Sequence, residues 1–173
     1  MTEQTEVRLL FLDTASFDDG VAIRGGALIT DADTKPYEFR CTSAVKPTAL
    51  QKMLYGDTLE SYVHVELIGA PLIKAAKELP SLVIVRNPLL LNVRPLIAFP
   101  VVLVSNQLSG SKDSVNLVSI KTHSKFPSEA QAAQDLLTPI MEHRNLLEPF
   151  ERLSIALSEA HKQRIGDAGG ARV

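Results

Sequence analysis

Three segments near the N-terminus carry the apolar pattern of β-structure. "VRLLFLD" (7–13) is apolar almost throughout, which marks a strand buried on both faces and so an interior place in a sheet. "VAIRGGALITD" (21–31) and "KPYEFRCTSAV" (35–45) follow, with β-branched and aromatic residues set among polar ones and the turn formers of "DADTKP" (31–36) between them. The pattern predicts an antiparallel meander with its first strand central in the sheet. Gly25 and Gly26, inside the second strand, predict a bulge or a close backbone approach, because glycine there gives up packing and entropy.

After Pro47 the period becomes helical. Leu50, Met53 and Leu54 recur at helix spacing behind Thr48, a residue suited to capping. Gly56 either ends this helix, with "DTLE" (57–60) starting a second that carries Tyr62, Val63, Leu67 and Ile68, or is tolerated inside one longer helix. "PLIKAAKEL" (71–79) predicts a further helix opened by Pro71 and stopped by Pro80. "SLVIVRN" (81–87) and "FPVVLVSN" (99–106) are buried strands, and "PLLLNVRPLIA" (88–98) between them is left unassigned. "GSKDS" (110–114) is a turn, "VNLVSIKTH" (115–123) a further strand. Two amphipathic helices follow, within 128–144 and 147–165, each with a proline that interrupts it. Strands and helices in this order predict the α/β class, a mixed sheet with helices packed on it. They predict one domain over 1–165 and a flexible tail over 166–173.

Composition narrows the function classes. The chain has 173 residues, a formal net charge of −2 and a pI near 6.1, so no global field draws it to nucleic acid or membrane, and any such binding must be local. Cys41 is the only cysteine, which excludes an internal disulfide and a cysteine zinc cluster within the chain and predicts an intracellular, cytoplasmic setting. No window reaches the roughly 20 apolar residues of a membrane span. No G-x-S-x-G elbow and no phosphate-binding glycine loop is present, and the four histidines have no metal-ligand spacing, most of them being expected on the surface.

The meander "VRLLFLD", "VAIRGGALITD", "KPYEFRCTSAV", followed by helices and then "SLVIVRN" and "FPVVLVSN", resembles the ribonuclease H-like superfamily over about residues 7 to 105. In that superfamily's active nucleases the first strand carries a metal-binding aspartate, a role the resemblance gives to Asp13. A second acid comes from the first helix, for which Glu60 or Glu66 is the candidate. A third usually ends the fourth strand, where this chain has Arg86 and Asn87 in "VIVRNP". An arginine there competes with divalent metals, which need several converging carboxylates. The block "EFRCTSAVKPTALQKMLYG" (38–56) also resembles an uncharacterised family of bacterial and archaeal proteins, which implies a prokaryotic protein and brings no activity with it.

Three candidate sites follow. Asp13, Asp18 and Asp19 would bind Mg2+ or Mn2+, with a polar turn as the competing explanation of the last two. Arg40, Thr42, Ser43, Lys46, Thr48 and Lys52 would hold a phosphate of a nucleic-acid backbone, with a capped helix start and solvated charges as the competing explanation. The two C-terminal helices would dock a protein partner or a second copy, or simply cover the sheet. The leading expectation is a non-catalytic or weakly catalytic module that binds nucleic acid or a protein partner through "FRCTSAVKPT". The alternatives are a metal-dependent nuclease using Asp13 with Glu60 or Glu66, and a structural subunit of an oligomer.

Overall fold

The predicted meander forms in a computed structural model that describes residues 6–106 and 118–167. Strands β1 (Leu9–Phe17), β2 (Ala22–Thr30) and β3 (Pro36–Cys41) pair antiparallel in succession. β4 (Leu82–Val85) lies parallel to the other side of β1, β5 (Val101–Asn106) parallel to β4, and β6 (Val118–Thr122) antiparallel at the edge. The sheet order is β3-β2-β1-β4-β5-β6, so the first strand is interior, as its unbroken apolar run requires. This is the ribonuclease H-like arrangement of meander, helices and further strands. The "GSKDS" turn and the first residues of "VNLVSIKTH" lie outside the described residues, as do 168–173 of the C-terminal segment.

Each face of the sheet buries its own apolar cluster. Leu9, Phe11 and Ile84 face α4 (Glu129–Met141) and α5 (Glu148–Lys162), where Phe150 meets Phe11 edge-on at 5.4 Å between ring centroids. The last two helices therefore cover the sheet. Pro149 lies in the first turn of α5 and starts that helix, where its missing N–H costs nothing, rather than interrupting it; Pro139 does lie inside α4. Leu10, Leu12, Val83 and Val85 face the opposite way, against the helical segment after β3 and the stretch left unassigned from sequence. That stretch is a 3-10 helix, Pro88–Leu96, capped by the Asn87 side chain and burying Leu90 and Val93.

The helical segment after β3 departs most from its pattern. It runs as α1 (Ala49–Tyr55), a 3-10 turn (Gly56–Thr58), α2 (Leu59–Ser61), a π-helix (Tyr62–Gly69) and α3 (Ala70–Ala75). Gly56, at φ 51, makes the break after α1. Pro71 lies in the first turn of α3, where its missing N–H is tolerated, but no break precedes it: α3 continues directly from the π-helix. The helix ends at Ala75, short of Pro80, because the Glu38 carboxylate takes the Lys77 and Glu78 N–H groups at 2.9 to 3.2 Å. The apolar positions of α1 do not mark a core face either: Leu50, Met53 and Leu54 are 64%, 81% and 74% exposed.

Gly25 and Gly26 mark a close approach. A Cβ on Gly25 would stand 2.0 Å from Ile68 Cγ2 of the π-helix, and one on Gly26 2.8 Å from Leu153 Cδ1 of α5. The register shift in this hairpin falls elsewhere, between Ile29 and Thr30.

Candidate functional site where the pairing of β1 and β4 ends

β1 and β4 pair in parallel from Leu9↔Leu82 to Leu12↔Val85, so Asp13 and Arg86 are the next residues on neighbouring strands. Side chains alternate across a strand. Leu12 and Val85 face the π-helix, and Asp13 and Arg86 therefore face α5. There Arg86 Nε donates to Asp13 Oδ2 at 2.7 Å, and the guanidinium carbon lies 5.3 Å from the Phe150 ring centroid. Asp13 Oδ1 accepts from the Thr14 N–H at 2.9 Å. The aspartate is 6% exposed, whereas the Arg86 side chain is 41% exposed. A buried carboxylate is thus neutralised by a half-exposed cation.

The acids proposed as its companions stand elsewhere. Glu60 lies in α2 and Glu66 in the π-helix, both exposed, on elements that lead across the other face of the sheet. Asp18 and Asp19 occupy the β1–β2 turn with φ of 55 and 56, a left-handed conformation that aspartate tolerates, followed by Gly20 at φ 86. β1 runs on to Phe17, which carries that turn four residues beyond Asp13. The structure does not bring Asp13, Asp18 and Asp19 together. Among the described residues no group of three or more His, Cys, Asp or Glu side chains could hold a metal ion. The donor set at Asp13 does not fit Mg2+ or Mn2+, which need several converging oxygens, because its partner is a guanidinium.

The other face of β1 carries a pair that sequence reasoning missed. Thr14 Oγ1 lies 2.8 Å from His64 Nδ1, on the π-helix. Such helices are rare and recur at functional sites. His64 is half-buried and lines a cleft of about 500 Å³ with Ser16, Lys52, Asp57 and Glu60. Burial pushes His64 below its ordinary value, against the opposing effect of Glu60 and Asp13. The unfolded chain therefore binds more protons than the folded one below about pH 6.5, the unperturbed histidine value. This contribution to stability is fully present above that value and lost as pH falls through the window beneath it. Urea unfolding at about pH 7.5 and about pH 5.5 should show a larger loss for wild type than for His64→Gln.

Three of the six residues of the proposed phosphate site are committed to the fold. Thr48 forms a capping box with Gln51 at the start of α1, and Thr42 Oγ1 accepts from the Gly25 N–H at 3.0 Å. Arg40 is paired with Glu38 at 3.0 Å. Ser43, Lys46 and Lys52 remain exposed, but α1 has only seven residues and a short dipole to offer an anion.

This segment is tied down by a second residue missed from sequence. Arg24, with no solvent exposure, donates to Thr42 O, Ile165 O, His161 Nδ1 and Asp167 Oδ2 at 2.6 to 3.0 Å. Asp167 Oδ1 in turn accepts from the Ala44 N–H. Because Arg24 is the donor, His161 carries its proton on Nε2 and gives it to Asp18 Oδ2 at 3.1 Å, with its ring stacked on Phe17. The histidines are thus mostly not surface residues: His123 is buried, His64 and His161 are half-buried, and only His143 is exposed. A lone arginine in the apolar run "VAIRGGALI" was the available signal for Arg24. Nothing local singles out His64.

No helix among the described residues is long and apolar enough to cross a membrane. No protein-family model and no curated protein matches the chain, so the resemblance of residues 38–56 gains no support. Solved structures do match. Endonuclease V from Streptomyces avermitilis superposes with a TM-score of 0.56 at 15% identity, covering 90% of this chain and 81% of that one. Endonuclease V from Ciona intestinalis, in complex with an inosine-containing DNA, gives a TM-score of 0.41 at 12% identity, covering 79% and 57%. The likeness to the Streptomyces protein is one of fold: this chain has the fold of an endonuclease V.

Proposed function

We propose that this chain is a nucleic-acid-binding protein built on a nuclease fold, working where the parallel pairing of β1 and β4 ends. The observation that carries the reading is the position of buried Asp13 and half-exposed Arg86, side by side between the central strands of an endonuclease V-like sheet. A cation there favours a phosphodiester, and binding through it needs no metal.

The second reading is a divalent-metal-dependent nuclease using Asp13 with Glu60 or Glu66. The fold likeness favours that reading over a passive module, because the matched structure is an endonuclease. The Asp13–Arg86 pair opposes it, as does the lack, among the described residues, of three His, Cys, Asp or Glu side chains grouped to hold a metal ion. A cleavage assay on single- and double-stranded DNA and RNA, with Mn2+ and with EDTA, separates the two. We expect no cleavage by wild type in either condition, with binding retained in EDTA. Cleavage that requires Mn2+ and falls at least about a hundredfold in Asp13→Asn would establish the nuclease reading instead.

A further inference from the structure

We infer that Arg86 is the anion-binding prong of this site, taking one phosphate group of a nucleic-acid backbone where a metal nuclease would place its ions. The inference rests on the proposed nucleic-acid function for its macromolecular ligand, and on geometry alone for its chemistry.

The place comes first. The chain leaves β1 toward β2 and β3 on one side, then crosses over through the helices to β4 and β5 on the other. β1 and β4 are therefore the strands between which the order reverses. In open α/β sheets ligands bind in the crevice outside the carboxyl ends of strands at such a switch point. Arg86 is the first residue beyond the carboxyl end of β4, and Asp13, still paired with Gly26 of β2, is the first β1 residue beyond the last parallel pair, Leu12↔Val85.

The chemistry comes from how Arg86 is held. A guanidinium offers five N–H donors in a planar fork. Nε is spent on Asp13 at 2.7 Å, while Nη1 and Nη2 have no hydrogen-bond partner among the described residues. The Phe150 ring lies 5.3 Å from the guanidinium carbon. A buried carboxylate on one edge and an aromatic ring nearby fix the group and leave its other edge half-exposed. One guanidinium accommodates two anions on two edges, and a phosphate suits the free one because its oxygens match the fork. Asp13 is then a positioning residue, its carboxylate orienting the cation.

Two titrations test this. Fluorescence anisotropy with a labelled single-stranded oligonucleotide in EDTA, over a range of salt, should show Arg86→Ala binding about fivefold or more weakly. Its log–log salt slope should be shallower by about 0.7, the signature of one lost phosphate contact on a single strand. Arg86→Lys, which keeps the charge without the fork, should recover the slope and only part of the affinity. Asp13→Asn should keep the wild-type slope, because the cation remains. In the second titration, inorganic phosphate is added to 15N-labelled protein, and the Arg86 Nε–H resonance should shift and saturate. Asp13→Asn should move that resonance before any phosphate is added, which a merely structural carboxylate away from the guanidinium would not do. Oligonucleotide binding by Arg86→Ala with wild-type affinity and slope would overturn the inference while leaving the nucleic-acid reading intact. A phosphate-dependent Arg86 shift without oligonucleotide binding would support the anion site and overturn that reading. Neither response in wild type would overturn both.

Discussion

Replacing Arg24 by alanine should cost about 3–5 kcal/mol of folding stability, the range for breaking a buried ion pair by deleting one partner. The side chain has no solvent exposure and satisfies four acceptors. Its loss leaves a cavity and strands the Thr42 and Ile165 carbonyls away from their donor. Arg24→Met, which refills part of the volume, should recover only the cavity share, since methionine donates nothing. Urea unfolding of both variants checks this. Equal stabilities near wild type would mean that the clamp between β2, the segment after β3 and the end of α5 contributes little. The same clamp orders residues 42 to 44 beside Lys46, so its loss should also loosen the segment from which the exposed lysines project.

Gly25→Val should destabilise by about 1–3 kcal/mol, the usual cost of overpacking a filled interior. A Cβ there meets Ile68 Cγ2 at 2.0 Å, so strand and π-helix must separate. The opposing residue on β1 is Thr14, the hydrogen-bond partner of His64. The strain therefore reaches the cleft directly. Ile68→Ala in the Gly25→Val background should relieve part of the cost, giving a coupling of about 0.5–3 kcal/mol between contacting residues. Thermal unfolding of the double-mutant cycle measures it, and strictly additive effects would contradict the close contact.

Much of the architecture was legible because apolar periodicity encodes burial. The unbroken run from Leu9 to Leu12 placed β1 inside the sheet, and the two glycines of β2 announced a close approach that Ile68 and Leu153 supply. The helical half was less legible. Its π-helix packs on Gly25, a contact that leaves no periodic mark, and the N–H groups after α3 are taken by Glu38, some 40 residues away in sequence. Apolar spacing misled at Leu50, Met53 and Leu54, which share a helix face and remain in solvent.

The position of Asp13 was legible in its strand, and the arrangement around it was not. Asp13 follows from its strand, and Arg86 was visible as a departure from the nuclease pattern. Their direct contact depends on the parallel register of β1 and β4, which no local motif specifies. Glu60 and Glu66 fit the resemblance by order along the chain, but strand alternation turns Asp13 toward α5 and away from their side. His64 and His161 owe their roles to contacts with residues 50 and 137 positions away, Thr14 and Arg24, which sequence spacing does not report.

The proposed function has nucleic acid bind where the central strands β1 and β4 part, through a fixed cation and without a metal. Anisotropy of wild-type protein with single-stranded DNA, double-stranded DNA and RNA, in EDTA at low and at near-physiological salt, tests it most directly. Saturable binding in EDTA that weakens as salt rises is the predicted result. Binding that appears only when Mn2+ is added, or no binding to any of the three at low salt, would contradict it.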